Sequence, residues 1–432
     1  MPELPIVAAA DPALDAYFAR GWEVPEEVVR DVRSIVADVH ARGDEALVEY
    51  ERRWDCATYD ASMLRVPIPP EREVRELLPS EVAAGLRLAR ERVASFHARQ
   101  RREDVRYREE DGTRYAFLSR ALDSVAAYVP GGSAPLPSTV VMTVVPAKTA
   151  GVPRVAVLTP PQSDGRVASA ILYACSICGA DELYAVGGAQ AIGAAAYGTQ
   201  TIVCVEKIVG PGNVWVTEAK RQVYGLCAID GLAGPSEVLV VGDESADASD
   251  IAAELLAQAE HDPRARVAAL SQSRALLEAV ARAIAERSVD SMPRGEIVAA
   301  VMRSRCRLIA ATSLEELCAT IERFAPEHLA LRVADSGAIL ERVGHAGAVF
   351  VGAATPVACG DYLAGSNHVL PTSGSARFAS GLRLDDFTRT FAVVENSAER
   401  MRRDAPVIVA LAEYEGLDEH ARTAFMRLDS EG

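Results

Sequence analysis

The alternation of short β-rich runs with helices of small residues, which begins near Ala126, most limits the folds open to this chain. The first runs are "VAAYVPGG", "RVAVLTPP", "ELYAVGG" and "TIVCVEKIVGPGN", and helices are predicted at 137–151, 166–179, 189–198 and 214–224. A strand, a helix and another strand at this spacing form a βαβ unit and a parallel sheet. A second array of the same kind extends from "SEVLVVGD" to "AGAVFVG", with helices predicted at 248–260, 275–287 and 314–324. The predicted fold class is therefore α/β, with two doubly wound, incomplete Rossmann-like domains.

The two ends of the chain have a different pattern. Residues 26–101 place apolar side chains three and four positions apart, which predicts helices and a helical N-terminal arm. Two alternating strands then flank Asp111–Gly112, a hairpin signal. After a segment rich in Gly, Ser and Pro, helices are predicted at 398–414 and 418–428. They form a small C-terminal helical tail that is too short to fold alone.

Composition excludes several classes of partner. The net charge of −16 argues against nucleic acid or an anionic membrane, because phosphate binding needs a basic surface. We expect neither a signal peptide nor a membrane span, since no apolar run is long enough. The eight cysteines are scattered, which suits reduced, buried thiols, and the C-x-x-C of Cys175 and Cys178 suits core packing. We therefore expect a cytoplasmic enzyme, with no nucleic acid and no membrane among its partners.

Glycine-containing loops follow several predicted strands. "VGPGNVW" opens a helix, and Asp230 ends the next strand, which partly imitates a dinucleotide-binding fingerprint. Trp215 stands where that fingerprint has its last glycine, so an ordinary tight turn is an equally open interpretation. "YVPGG" and "VGGAQAIG" also follow strands and should lie at the same carboxyl edge of the sheet, where α/β proteins usually bind ligands.

Three of the seven histidines follow a glutamate, in the pairs Glu260–His261, Glu327–His328 and Glu419–His420. Gln258 and His261 lie three apart and hence on one helix face. Together with Asp361 and His420 they could form a tetrahedral set of N and O donors. The spacing does not require this, and His261 could instead cap the last carbonyls of its helix. The loop "GDYLAGSNHVLPTSG" is either a ligand-binding loop or a surface loop with incidental polar groups.

Nine motifs in this order resemble the histidinol dehydrogenase family. The matching stretches are "YVPGG", "PAKTAGV", "VGGAQAIGA", "KIVGPGN", "AGPSEVLV", "AEHDP", "PEHLAL", "GDYLAGSNHVLPT" and "EGLDEH". The resemblance covers essentially the whole chain. Small departures at Ser124, Ala126, Trp215 and Ser366 touch no residue assigned below.

The resemblance implies a site for zinc, NAD and substrate. It implies that the zinc ligands are Gln258, His261, Asp361 and His420, which also contact substrate, the last being supplied by the partner of a homodimer. It implies NAD contacts at Tyr128, Gln190 and Asn213. It implies further substrate contacts at Ser236, His328, His368 and Glu415, and catalytic roles for Glu327 and His328.

The resemblance implies four domains. They are an N-terminal arm (1–25), a first α/β domain with the catalytic and metal residues (26–127 plus 237–380), a second α/β domain that binds NAD (128–236), and a C-terminal tail that crosses to the partner subunit (381–432).

The implied reaction is the four-electron oxidation of L-histidinol to L-histidine via L-histidinal, with two NAD, in the last steps of histidine biosynthesis. His328 suits the base that accepts the alcohol proton, because imidazole titrates near neutral pH. Glu327 would activate water for the second oxidation, and zinc would anchor the imidazole and amine of the substrate. Neighbouring residues of a strand point in opposite directions, so either each serves one step or the backbone bends to present both.

Three alternatives remain open from the sequence. The first is a paralogous NAD-dependent dehydrogenase of another polar alcohol, such as a sulfonated diol. The second is a metal-dependent hydrolase, which would leave the glycine loops without a role. The third is a non-catalytic binding protein, whose function would not depend on Glu327 or His328.

Overall fold

The computed structural model describes residues 4–21, 23–131, 135–287, 289 and 292–427. Numbered along the chain, its strands are β1 (Ile6–Ala8), β2 (Val105–Arg108), β3 (Arg114–Ala121), β4 (Ser124–Tyr128), β5 (Arg154–Thr159), β6 (Glu182–Ala185), β7 (Lys207–Val209), β8 (Ala228–Ile229), β9 (Glu237–Gly242), β10 (Arg266–Ser271), β11 (Cys306–Ala310), β12 (His328–Arg332), β13 (Ala348–Val351) and β14 (Thr388–Glu395). Its helices are α1 (Ala13–Tyr17), α2 (Glu26–Arg42), α3 (Asp44–Trp54), α4 (Glu71–Arg75), α5 (Ser80–Ala98), α6 (Pro137–Ala150), α7 (Ser169–Cys178), α8 (Gly188–Tyr197), α9 (Val214–Val223), α10 (Ala248–Ala259), α11 (Arg274–Glu286), α12 (Gly295–Ser304), α13 (Leu314–Phe324), α14 (Gly337–Leu340), α15 (Ala358–Tyr362), α16 (Ala398–Tyr414) and α17 (Asp418–Phe425).

The larger of two compact units contains residues 1–99 and 122–387 and holds two parallel sheets. In the described residues, one sheet has the strand order β1-β11-β10-β9-β12-β13. Along β9, Val238 and Val240 belong to one core cluster and Leu239 and Val241 to another. Because successive side chains of a strand point to opposite faces, both faces of this sheet are buried, as parallel sheets require.

The other parallel sheet of this unit has the strand order β6-β5-β4-β7-β8 in the described residues. Its core includes Val32 of α2 and Leu47 of α3, packed with Ala126, Leu158 and other side chains of the sheet and of α8. The amphipathic N-terminal helices thus bury their apolar faces here. The division of the chain into four domains stays a prediction.

The smaller unit contains the described residues of Gln100–Ala121 and Thr388–Gly432. The predicted hairpin is confirmed: β2 and β3 pair in antiparallel fashion around the turn at Asp111–Gly112. β14 pairs with β3 from Thr388 opposite Ala121 to Glu395 opposite Arg114. This strand was not predicted from the sequence, which indicated only the two helices that follow it.

The α/β fold class is confirmed, and the helices of both arrays begin and end within a few residues of the predicted positions. The sequence did not predict β1, which pairs with β11, or α12. Within "TIVCVEKIV" only Lys207–Val209 is a strand. The predicted last helix reaches Leu428, which lies outside the described residues, and α17 ends at Phe425.

Two other sequence expectations concern thiols and membranes. All eight cysteines are free, and Cys175 and Cys178 are buried in α7, which confirms their predicted role in core packing. Among the described helices, none combines the length and the apolar character that a membrane crossing would require.

Candidate active site

A cleft of about 1010 Å³ lies in the larger unit. The loops that follow β4, β6 and β7 line it, so the carboxyl edge of the five-stranded sheet forms one side, as the glycine loops predict. The opposite side includes Ser236 and Glu327, which directly precede β9 and β12, and hence the amino edge of the six-stranded sheet. Seven of the predicted site residues line this cleft: Tyr128, Gln190, Asn213, Ser236, His261, Glu327 and His368.

Glu327 and His328 lie at the start of β12. Ala325 ends α13 in a left-handed conformation, with φ of 50°, and Pro326 follows, so the chain turns sharply just before the pair. Glu327 Oε2 accepts a hydrogen bond of 2.8 Å from the backbone N–H of Glu237, and His328 Nδ1 lies 2.9 Å from the backbone oxygen of Glu237. The backbone therefore bends so that the two side chains approach each other, and His328 Nδ1 lies 3.5 Å from Glu327 Oε2.

Burial sets the protonation of both groups. It lowers the pKa of His328 to about 4, against the opposing effects of the Glu237 carbonyl and of Asp361, so the imidazole is neutral near pH 7. Burial also raises the pKa of Glu327 well above its usual value, and the nearby carboxylates of Glu237 and Asp361 raise it further. A neutral imidazole can accept a proton, and a carboxyl with a raised pKa can retain one at neutral pH.

His368 also lines the cleft. Its Nδ1 is 3.3 Å from the backbone oxygen and 4.0 Å from Oδ1 of Asp361, and its Nε2 is 3.3 Å from Thr139 Oγ1. His261 and Asp361 act electrostatically on both His328 and His368. The structure therefore brings together three histidines and two carboxyl groups that are distant in the sequence.

The predicted zinc ligands of this unit lie on two short segments. Gln258 is buried near the end of α10, His261 follows that helix, and Asp361 lies on α15. In the described part of the chain, no three His, Cys, Asp or Glu side chains are already spaced as a metal site. The donor types, an amide oxygen, an imidazole nitrogen and a carboxylate oxygen, nevertheless fit zinc, and at least one further donor is needed for four-coordination.

A buried ionic network joins the two segments that carry these donors. Arg332, which is 4% exposed on β12, donates from Nη2 to Glu254 Oε1 of α10 at 2.6 Å. The same carboxylate accepts from the backbone N–H of Val357 at 3.2 Å, directly before α15. Arg332 Nε also donates to Asp250 Oδ2 at 2.6 Å. Sequence analysis did not identify this network, although a charged residue that ends an apolar strand was a visible signal.

The three predicted NAD contacts are each fixed by local hydrogen bonds. Tyr128 Oη accepts from the backbone N–H of Gly188 at 3.2 Å. Gln190 Nε2 donates to Glu51 Oε1 at 2.9 Å. Asn213 Oδ1 caps α9 by accepting from two backbone N–H groups at 3.0 and 3.1 Å. All three side chains border the cleft without depending on a ligand for their placement.

A buried ion pair holds the loop "VGPGN". Lys220 contacts Asp230 Oδ1 and also donates to the backbone oxygen of Gly210 at 3.0 Å. Asp230 Oδ2 accepts from the backbone N–H of Gly210 at 2.7 Å. Gly210 has φ of 110°, and a Cβ there would overlap the carbonyl oxygen of Tyr128. Asp230 therefore supports the loop, whereas the dinucleotide fingerprint would aim such an acid at a ribose.

Glu237 contacts both Glu327 and His328, and sequence analysis did not identify it. It is fully buried, forms an ion pair with Arg266, and lies in the apolar run "SEVLVV". Its main chain holds both Glu327 and His328. A glutamate inside an apolar strand was the available signal.

The remaining predicted site residues are Glu415 and His420. Both belong to the smaller unit, Glu415 at the end of α16 and His420 on α17, and both are exposed.

A cleft lined by the edges of two parallel sheets, with His261, Glu327 and His368 in its lining, is typical of an α/β enzyme, and similarity to known dehydrogenases shows that this enzyme is an oxidoreductase. The histidinol dehydrogenase family model matches residues 19–428, so the chain belongs to that family. It is 44% identical over 414 residues to the histidinol dehydrogenase of Mesorhizobium japonicum, covering 96% of each chain. It is 43% identical to that of Geobacillus kaustophilus, covering 94% of this chain and 95% of the relative. The crystal structure of histidinol dehydrogenase from Elizabethkingia anophelis superposes with a TM-score of 0.92 at 32% identity, covering 99% and 98% of the two chains.

Proposed function

We propose that this protein oxidises L-histidinol to L-histidine through L-histidinal, with two NAD, in the last steps of histidine biosynthesis. The observation that carries the proposal is the convergence of Glu327 and His328 on one residue of β9, beside His261, Asp361 and His368. Family membership supports the substrate.

In the first oxidation, His328 accepts the proton of the alcohol while hydride leaves for NAD. Its lowered pKa keeps the imidazole neutral and ready to accept that proton. The hydrogen bond between Nδ1 and the Glu237 carbonyl fixes the ring, so that Nε2 is the nitrogen left for proton transfer. Tyr128, Gln190 and Asn213 would bind the cofactor across the cleft.

In the second oxidation, Glu327 accepts a proton from the water that adds to the aldehyde. The ionised carboxylate is the form that accepts this proton, and the raised pKa of Glu327 makes that carboxylate a stronger base than an exposed one. The backbone N–H of Glu237 holds one carboxyl oxygen in place, so the side chain does not have to be ordered when water enters.

Zinc would be held by Gln258, His261 and Asp361 together with His420, and when bound it supplies a Lewis-acid anchor for the imidazole and amine nitrogens of the substrate. Ser236, His368 and Glu415 would orient the rest of the substrate.

We also propose that the enzyme is a cytoplasmic homodimer in which the C-terminal tail provides Glu415 and His420 to the partner's site. The smaller unit exposes many large apolar side chains, which single soluble chains seldom do. They include Val394, Val407, Leu411, Tyr414 and Phe425, with exposed fractions of 58%, 59%, 59%, 92% and 58%. A two-fold interface would cover these side chains.

Reaction stoichiometry tests the proposal. We expect two NADH for each histidinol consumed, activity lost on treatment with a chelator, and recovery on addition of zinc. One NADH per substrate would contradict the four-electron reaction. Turnover of another polar alcohol, such as a sulfonated diol, with no turnover of histidinol would instead favour the paralogous dehydrogenase.

A further inference from the structure

A pair of carboxyl groups at the end of α3 borders the cofactor side of the cleft. Glu51 is 0% exposed, and its Oε1 accepts from the backbone N–H of Gly187 at 3.0 Å and from Gln190 Nε2 at 2.9 Å. Asp55, one helical turn further on, lines the cleft, and its carboxyl group interacts electrostatically with that of Glu51. Neither residue has a role in the chemistry described above.

Burial disfavours ionisation of both carboxyl groups. Burial raises the pKa of Glu51 to about 8 and also raises the pKa of Asp55, which is only half-buried. Glu51 Oε2 is buried and has no hydrogen-bond partner among the described residues, so nothing in its surroundings stabilises an ionised oxygen there. At neutral pH, Glu51 therefore retains its proton, and the carboxyl group of Asp55 borders the cleft.

The position of Asp55 fits the adenosine half of a dinucleotide. Glu51 binds Gly187 and Gln190, which follow β6. The end of α3 that carries Glu51 and Asp55 therefore lies at the carboxyl edge of the five-stranded sheet. The catalytic pair is attached to the amino edge of the other sheet, and the nicotinamide must reach the substrate there. The adenosine end of the cofactor would then lie near Asp55, where the side chains of Ile35 and Trp54 add apolar surface to the cleft.

Few carboxylates in the described cleft lining are available to a ribose. They are Asp55, Glu260, Asp262 and Glu327. Glu327 serves the chemistry, and Glu260 and Asp262 flank the predicted zinc ligand His261. Asp230, which the sequence pattern suggested for a ribose, is engaged by Lys220 and Gly210. Asp55 is the acid that remains.

Resting on the proposed function, we propose that Asp55 binds the ribose hydroxyls of the adenosine half of NAD and thereby selects NAD over NADP, and that Glu51 is a positioning residue that orients Asp55 and Gln190. A carboxylate accepts hydrogen bonds from a ribose diol and repels the 2′-phosphate of NADP.

The arrangement also predicts a pH dependence of cofactor binding. The titratable groups near Glu51 are Asp55 at the end of its own helix, Tyr59 after it and Tyr128 of β4, and Gln190 of α8 is neutral. When Glu51 loses its proton near pH 8, two adjacent carboxylates repel each other and Asp55 is displaced. The affinity for NAD should therefore fall above about pH 8.

The experiment measures Kd by calorimetry for NAD and NADP, together with steady-state KM values, in the full-length enzyme. Asp55→Asn should weaken NAD binding by about 10- to 100-fold, the loss expected for hydrogen bonds to a charged group. It should leave the KM for histidinol unchanged and reduce the ratio of NAD to NADP affinity by at least about tenfold. Glu49→Gln removes an acid from the exposed face of the same helix and should change neither value.

Glu51→Gln tests the positioning role. Glutamine keeps an acceptor for Gly187 and Gln190 and carries no charge at any pH, so the variant should fold, bind NAD near pH 7 and lose the decline in affinity above pH 8. The proposal is overturned if Asp55→Asn keeps the native ratio of NAD to NADP affinity within twofold, or if Glu51→Gln keeps the native pH profile. Native enzyme that binds NAD but forms no NADH from histidinol would contradict the proposed function alone, since the calorimetric ratio still tests Asp55.

Discussion

His328 Nδ1 lies 3.5 Å from Glu327 Oε2, and both side chains are held by the main chain of the same residue, Glu237. A regular strand would send adjacent side chains to opposite faces. The turn formed by Ala325 and Pro326 allows Glu327 to stay outside the regular part of β12 while His328 begins it. His328 is thereby placed on a strand, and Glu327 directly precedes it, so neither residue depends on a long loop for its position.

Replacement of the pair should separate the two oxidations. His328→Asn should lower kcat for histidinol by about 10²–10⁴-fold, because it removes the proposed base. Glu327→Gln keeps an acceptor for the Glu237 N–H and should slow histidinal oxidation more than histidinol oxidation. Stopped-flow NADH formation from each substrate measures both effects, with His345→Asn as a control outside the cleft. Equal loss of both steps in both variants would contradict separate roles.

Zinc binding should depend on His261 and Asp361. His261→Asn and Asp361→Asn each remove a donor and should lower zinc retention during dialysis, measured as metal per chain by elemental analysis. Asp335→Asn, an exposed carboxylate, serves as the control. If both variants kept native zinc content, the proposed ligand set would be wrong.

The network of Arg332 should matter for both stability and metal affinity. Arg332→Met leaves Glu254 buried without its cation, and removal of one partner of a buried pair costs about 3–5 kcal/mol. It should also weaken zinc binding in a chelator competition, because Glu254 joins α10 to the start of α15. Arg342→Met on the surface should do neither. If Arg332→Met were destabilised but bound zinc with native affinity, the network would contribute to folding stability and not to metal binding.

The Lys220–Asp230 pair should control the loop around Gly210. Lys220→Met leaves a buried carboxylate unpaired and should lower the free energy of unfolding by about 3–5 kcal/mol in urea titrations. It should raise the KM for NAD and leave the KM for histidinol unchanged, since the loop leads to Asn213. Lys148→Met, which breaks a more exposed pair, should cost no more than about 1 kcal/mol. An unchanged KM for NAD in Lys220→Met would show that the ion pair does not contribute to cofactor binding.

Glu51 should make stability depend on pH. Its folded-state pKa of about 8 lies above the ordinary value of 4.5, so its contribution to stability is fully present below pH 4.5 and is lost as the pH rises through 8. The free energy of unfolding of the native protein, relative to that of Glu51→Gln, should therefore fall over this interval and level off above it. A constant difference from pH 4.5 to 9 would contradict the raised pKa.

The sequence by itself determined the fold class and the positions of most elements. Period-2 and period-3.6 patterns are local properties of the chain, and each βαβ unit repeats them. It did not predict β1 and β14, which are strands because of partners far along the chain, Leu308 and its neighbours for β1 and Tyr115 and its neighbours for β14. Strand pairing is decided by such distant contacts, which no short window of sequence contains.

Motif resemblance named the residues of the candidate site, but only the tertiary structure decided which groups act on one another. It placed Glu327 and His328 on the main chain of Glu237, engaged Asp230 with Lys220, and left Asp55 facing the cleft. The roles of Glu415 and His420 stay proposals. The physical reason is that burial and neighbouring charges set the pKa values and hydrogen-bond partners of these groups, and both arise only when distant segments pack together.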